Sequence, residues 1–310
     1  MRILITGGAG FIGSALAENL IIDGHDVIIV DNYYTGKKEN IKSLNCKKII
    51  MDLSDITNLS AIDHMLNDID IVYHFAASIG VTLIKNNPYS TFLNSLNINN
   101  LLFPLFKKHD LKVIYASTSE VYGDTKKIYG SNETDHLEIF SGTRGSYASS
   151  KLFYEFYLKS LIDKFVIARF FNIVGPGQVS TFGHVIPKFI EACINEKDIT
   201  VYNYGEQVRS FCDIRDAIEI LKLFLNDEHN GRTYNVGNQN NTISIGNLAK
   251  LIKKELNSSS NIVFEKNTYD DIFERFPNTS KISKYYTCKY SLQDIIRNIY
   301  EKNFSSNSAS

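Results

Sequence analysis

Thr6-Gly7-Gly8-Ala9-Gly10-Phe11-Ile12-Gly13-Ser14 decides the fold of this chain. It follows a short apolar run, Arg2–Thr6, and opens an apolar stretch with helical spacing. Glycines at 7, 10 and 13 let a backbone turn tightly and approach a pyrophosphate, whose charge then rests on a helix N-terminus opened by Phe11 and Ile12. The next apolar run ends in Asp31. A carboxylate there accepts hydrogen bonds from an adenosine ribose and repels a 2′-phosphate, which selects NAD over NADP.

Working outward, short apolar runs at 2–6, 26–31, 48–51, 69–75, 112–117 and 165–170 alternate with longer amphipathic stretches. Parallel neighbours need crossover connections, so this rhythm predicts an α/β, Rossmann-like doubly wound parallel sheet. It changes after Asn172. Gly-Pro-Gly at 175–177, a short strand near 199–202 and helical stretches around 213–226 and 243–255 read as a smaller C-terminal lobe that supplies substrate contacts. The predicted division is an NAD-binding domain over 1–172, a substrate-binding lobe over 173–302 that returns elements to the first domain, and a disordered tail over 303–310.

Composition narrows the function. In 310 residues, 33 Lys+Arg nearly cancel 34 Asp+Glu, so the broad basic field of a nucleic-acid binder is missing. No apolar run approaches the roughly 20 residues that span a bilayer. The N-terminus reaches glycine too soon for a signal peptide, which predicts a cytoplasmic protein without a membrane partner. Cys46, Cys193, Cys212 and Cys288 lie far apart without metal-ligand spacing and read as free thiols, with no metal expected.

Two further clusters carry chemistry. Tyr147-Ala148-Ser149-Ser150-Lys151 puts a phenol and an ammonium one helical turn apart, so the cation favours the phenolate and equips Tyr147 as a base. Ala116-Ser117-Thr118-Ser119-Glu120-Val121-Tyr122-Gly123 follows the fifth strand. Its hydroxyls face the cofactor crevice, where one can hydrogen-bond a substrate hydroxyl or share its proton with Tyr147.

With His74-Phe75-Ala76-Ala77, Asp31-Asn32, Asp52-Leu53 and Arg169-Phe170-Phe171-Asn172, these motifs resemble in order those of the extended short-chain dehydrogenases that act on nucleotide-sugars. The resemblance covers nearly the whole chain. It implies that Asn32 adjoins the cofactor, that Asp52 and Leu53 contact adenine, and that Ala76 and Ala77 pack near the cofactor ribose and diphosphate. It makes Asn94 a supporting residue, although Asn97-Ile98 replaces the usual Gly-Thr. Thr118, Ser119 and Glu120 face the sugar, and Asn172, Arg209 and Arg275 bind its diphosphate, arginine being suited to two-pronged recognition of phosphate. His74 reads as a strand-end packing residue. The stretch 182–187, with His184, is expected near the nucleotide. A homodimer follows from the helix of Tyr147 and the apolar stretch 93–107, which resemble the pairing helices of family dimers.

The shared chemistry is oxidation of the sugar C4 hydroxyl to a 4-keto sugar. Return of hydride to the other face gives a 4-epimer, loss of water across C5 and C6 a 4-keto-6-deoxy sugar, and loss of carbon dioxide a pentose. Thr118-Ser119-Glu120 resembles decarboxylases and some dehydratases, with Ser119 where many dehydratases carry an acid. The string from Val30 to Gly36 is also similar to UDP-glucuronate decarboxylases, yet 175–178 and 183–185 lack arginines of that family. The motifs alone rank UDP-hexose 4-epimerase first, NDP-hexose 4,6-dehydratase second and UDP-glucuronate decarboxylase third. The alternative of another class, a non-catalytic NAD-binding regulatory protein, is opposed by intact Thr118, Tyr147 and Lys151.

Overall fold

The computed structural model describes residues 1–77, 87–124, 128–139, 145–178, 184–266 and 272–304. In chain order the first elements are β1 (Arg2–Thr6), α1 (Phe11–Ile22), β2 (Asp26–Asp31), β3 (Lys47–Ile50), α2 (Leu59–Met65), β4 (Ile71–His74), α3 (Pro88–Lys108), β5 (Lys112–Thr118), α4 (Gly145–Leu161) and β6 (Phe165–Phe170). There follow β7 (Ile173–Val174), α5 (Val185–Ile194), β8 (Ile199–Tyr202), β9 (Val208–Ser210), β10 (Cys212–Asp213), α6 (Ile214–Leu223), β11 (Arg232–Val236), β12 (Thr242–Ser244), α7 (Ile245–Glu255), β13 (Ile262–Glu265), β14 (Glu274–Arg275) and α8 (Leu292–Phe304).

The main sheet has the order β11-β6-β5-β4-β1-β2-β3. It is a parallel, Rossmann-like sheet, as the alternation of apolar runs predicts. β4 and β5 are buried along their whole length, because helices cover both faces at the centre, whereas edge strand β3 exposes Lys47 and Lys48. Chain direction across the sheet reverses between β1 and β4, the switch point where such sheets bind ligands. Register fixes what stands there: Thr6 lies beside Val30 on one side and His74 on the other, and His74 lies beside Tyr115. The carboxyl ends of β1, β2, β4 and β5 therefore present Thr6, Asp31, His74 and Thr118 along one edge.

One compact unit comprises Met1–Val121, Thr143–Arg169 and Ile218–Tyr234; the other comprises Tyr122–Gly142, Phe170–Ala217 and Asn235–Ser310. The segment 218–234 returns to the first unit because β11 takes the outer edge beside β6, and 122–142 leaves it directly after the β5 turn. The first unit is centred on Leu4, Val72, Val113 and Ile167 of the sheet with Phe103 and Tyr154 of the helices over it. The second has its own core, in which Phe189, Ile190, Leu248, Ile252, Ile295 and Ile299 arrive at helical spacing from α5, α7 and α8. α8 runs through Phe304, so 303–304 are helical rather than tail; 305–310 lie outside the described residues. No helix among the described residues is long and apolar enough to cross a membrane.

Candidate active site

The glycine loop is shaped by two close approaches and an uncapped helix end. Gly7 has φ +70°, and a Cβ there would stand 2.8 Å from the Ala76 nitrogen. At Gly13 a Cβ would stand 2.5 Å from the Gly7 carbonyl oxygen, so the first turn of α1 can lie on the loop only without a side chain. Gly10 is the N-cap of α1, and no side chain caps the helix. The N-terminal end of α1, at Phe11 and Ile12, is thus left for an external acceptor.

Asp31 is 8% exposed, and its carboxylate accepts the backbone N–H of Ala9 (2.9 Å) and of Tyr33 (2.8 Å). The group expected to meet a ribose therefore also holds the glycine loop against the end of β2. A backbone cradle that side chains would fill, an uncapped helix end and a carboxylate at the neighbouring strand end together fit an NAD pyrophosphate and ribose.

Asn32 donates to Asp52, whose carboxylate also accepts the Ser54 hydroxyl (2.6 Å) and N–H (2.8 Å). The Ser54 hydroxyl above all holds the Asp52 carboxyl below its ordinary value. Leu53 points into the core at 4% exposure, so an adenine contact there falls to its backbone. Ala76 donates its N–H to the Thr6 hydroxyl (3.2 Å), and Ala77 is half-buried. Thr6 in turn contacts His74 Nδ1 (2.8 Å), while His74 Nε2 contacts Asn99 Oδ1 (3.0 Å). Burial first, then the charge of Lys151, pulls His74 down to about 3, so the imidazole is neutral and Nε2 donates to Asn99. Asn99 was not singled out in the sequence; Asn94, which was, is half-buried on the same helix.

The reactive side chains stand on α4 and on the end of β5. Tyr147 is 8% and Lys151 3% exposed, one turn apart on α4. Lys151 Nζ donates to the Ala116 carbonyl of β5 (2.8 Å) and lies 4.9 Å over the Tyr115 ring. That bond fastens the Tyr147 helix to the strand two residues before Thr118. Thr118 and Ser119 are buried; Glu120 is half-buried on the single 3₁₀ turn that follows, its N–H donating to Thr118 Oγ1 (3.2 Å). Burial lowers Lys151 to about 7 against the opposing pull of Glu155. Burial, then Tyr147 and Glu155, hold the Tyr115 phenol well above its ordinary value.

Glu155 is the residue that motif reading missed. It is fully buried one turn beyond Lys151, accepts Arg169 through two bonds (2.9 and 2.6 Å), and takes the Ser117 hydroxyl at 2.5 Å. The signal was present: Tyr147, Lys151 and Glu155 recur every four residues, which puts them on one helix face.

In the second unit, Arg209 of β9 and Arg275 of β14 are paired in register on adjacent parallel strands, at 7% and 6% exposure. Arg209 donates to the carbonyls of Ile272 (2.7 Å), Phe273 (3.2 Å) and Val208 (2.9 Å). Asn172 donates to the Ser210 carbonyl (2.8 Å). His184 is the N-cap of α5, and burial lowers its pKa; residues 182–183 lie outside the described residues.

A glycine cradle at a sheet switch point beside a buried Tyr-x-x-x-Lys pair defines an NAD-dependent enzyme. Residues 3–237 match the NAD dependent epimerase/dehydratase family, and the chain belongs to it. Among its relatives, a UDP-N-acetyl-alpha-D-glucosaminuronate decarboxylase of Bacillus cytotoxicus is 36% identical over 89% of this chain and 88% of that protein. UDP-glucuronic acid decarboxylase 1 of Arabidopsis thaliana is 32% identical over 91% of this chain, which spans 64% of the plant protein. Among solved structures, the UDP-glucuronic acid 4-epimerase of Bacillus cereus in complex with UDP-glucuronic acid and NAD superposes with a TM-score of 0.86 at 29% identity, over 97% of this chain and 98% of that one.

Proposed function

We propose that the chain decarboxylates a UDP-uronic acid through a 4-keto intermediate. The carrying observation is the end of β5: Glu120 stands on the turn that begins at Thr118, and the same strand is bonded to Lys151 beneath the base Tyr147. Identity with two decarboxylases of UDP-uronic acids over about nine-tenths of the chain supports this reading over the epimerisation that the motifs alone rank first.

Tyr147 takes the proton of the C4 hydroxyl, and Thr118 hydrogen-bonds the same oxygen. Lys151 stabilises the phenolate that makes Tyr147 a base. NAD, which the glycine loop 7–13 and Asp31 would hold, would supply the acceptor and donor of the C4 hydride. Once C4 is a ketone, the bond from C5 to the carboxyl carbon breaks, its electron pair enters the C4 carbonyl, and carbon dioxide leaves. Glu120 then manages the proton that C5 must regain.

Arg209 and Arg275, whose planar guanidinium groups suit two-pronged recognition of phosphate, are the proposed diphosphate ligands.

A second reading, C4 epimerisation of the same acid, is favoured by the solved 4-epimerase. The test is NMR in heavy water with UDP-glucuronate, UDP-N-acetylglucosaminuronate and UDP-glucose. A pentose carrying deuterium at C5 is expected, with turnover crippled in Glu120→Gln. Inversion at C4 without deuterium, unaffected by Glu120→Gln, selects the epimerase and overturns decarboxylation; a C6 methyl group selects dehydration.

We also propose a homodimer built on α3 and α4, which together expose Leu93, Phe153 and Phe156 at 39%, 55% and 58%. Light scattering that finds a monomer at working concentration removes it.

A further inference from the structure

Cysteine spacing gives no hint of a metal site, yet the second unit gathers three ligands of two types from two distant segments. Cys212 opens the short strand β10, Asp216 lies in the first turn of α6, and Cys288 belongs to the segment before α8. The two sulfurs and a carboxylate oxygen of Asp216 lie within 4.8 Å of one another. Cys212 and Asp216 are both 0% exposed, and Cys288 is half-buried.

The surroundings are short of positive charge. Asp216 accepts the Tyr286 hydroxyl (2.8 Å) and the N–H groups of Lys289 (2.9 Å) and Tyr290 (3.2 Å), all neutral donors. It makes no salt bridge among the described residues. The neighbouring cation, Arg215, is forked onto Asp213 (2.9 and 2.7 Å) and stacked 3.5 Å over the Tyr290 ring. Cys212 Sγ donates to the Asp213 carbonyl (3.6 Å) and Cys288 Sγ to the Gly237 carbonyl (3.5 Å), again without a cation. Buried charges are ordinarily paired or coordinate a metal, and a cation at this point would relieve all of these groups together.

We propose that Cys212, Asp216 and Cys288 form a three-ligand site for a thiophilic divalent cation of the zinc type, lying wholly within the second unit. Two thiolates and a carboxylate select a soft cation over magnesium or calcium, which prefer oxygen throughout. Zinc–sulfur bonds of about 2.3 Å set tetrahedral sulfurs about 3.7 Å apart, so the ligands close by about 1 Å at most. Cys288, on a segment between helices, supplies that movement. Binding replaces two S–H bonds by two metal–sulfur bonds and releases two protons; water fills the fourth position. The cation would tie the strand that follows Arg209 to the segment leading into α8.

The test uses the full chain, reduced and freed of metal, titrated with cobalt(II) and then zinc. One cobalt per chain is expected, with thiolate-to-cobalt charge-transfer absorption and tetrahedral ligand-field bands that zinc abolishes. Cys288→Ser should weaken binding by more than the roughly 10–100-fold that even an outer-shell partner costs. The double variant Cys46→Ser/Cys193→Ser should bind like the parent. In the parent chain, without any variant, zinc should protect Cys288 but not Cys46 from alkylation, read by mass spectrometry. Absence of stoichiometric cobalt uptake overturns the proposal, as does equal uptake by a Cys288→Ser variant that still folds. So does a chain isolated short of two hydrogens through a Cys212–Cys288 disulfide that binds no metal once reduced.

Discussion

The glycine cradle and the floor beneath Tyr147 meet at the same end of one sheet but are built from opposite materials. The cradle is backbone: glycine positions 7, 10 and 13, an uncapped helix end and a single carboxylate, Asp31, that ties the loop down. The floor is buried charge and polar contact: Lys151 on Ala116, Glu155 on Arg169 and Ser117, His74 between Thr6 and Asn99. Backbone can meet a diphosphate with no ionisable group at risk, so the cradle is cheap to place and intolerant of volume. The floor must keep a lysine near neutrality inside a protein, so it needs partners from several elements and is intolerant of lost charge.

Four substitutions break or sharpen that contrast. The largest effect is expected at Tyr147→Phe, which removes the base without altering the fold. Turnover should fall by about 10²–10⁴-fold while NAD affinity, measured by fluorescence, is retained; undiminished turnover would remove Tyr147 from the mechanism. Next, Arg169→Met strands the Glu155 carboxylate in the interior and should cost about 3–5 kcal/mol in urea unfolding. A loss below about 1 kcal/mol would mean that Ser117 and Lys159, the latter 3.9 Å from Glu155, suffice.

Smaller still, Gly13→Ala drives a methyl group against the Gly7 carbonyl and should cost about 1–3 kcal/mol together with weaker NAD binding. Gly24→Ala is the control. Unlike Gly13 it has a positive φ, +85°, and nothing lies within 4 Å of its Cβ position, so its cost is conformational strain alone and NAD affinity should not change.

The smallest effect is a slope. His74 is held at about 3 in the folded chain against 6.5 when exposed, so the unfolded chain binds the extra proton between those values. Its contribution is complete above about pH 6.5 and is lost as pH falls, by about 1.4 kcal/mol per unit, until about pH 3. His74→Gln should flatten stability against pH between about 6.5 and 5; a parallel profile would show that His74 takes up its proton without opening the fold.

The two regions also differ in how far they can be read from the chain. β1, β2 and β6 were readable to the residue from their apolar runs, and the cradle lies within a few residues of its own strand. Tyr147 and Lys151 were readable because helical periodicity alone puts them together. Their bond to Ala116 was not, since 35 residues intervene. Asn99 escaped notice in a helix rich in asparagine, where nothing local distinguishes it from Asn94 or Asn97. Which segment returns to the first unit, 218–234, was not readable, because strand order, unlike strand identity, is a long-range property.

The sequence by itself determined the family, the glycine loop, the order of strands and helices in its first half, and the placing of Tyr147 and Lys151 on one helix face. These depend on spacing along one strand, one loop or one helix, and short-range stereochemistry settles them. Tertiary structure alone decided that Glu155 and Arg169 neutralise each other under Lys151, that Arg209 faces Arg275 across two strands, and that Cys212 meets Cys288. Such pairings join residues whose separation along the chain carries no information about distance, and they exist only once packing has excluded water and made an unpaired charge costly.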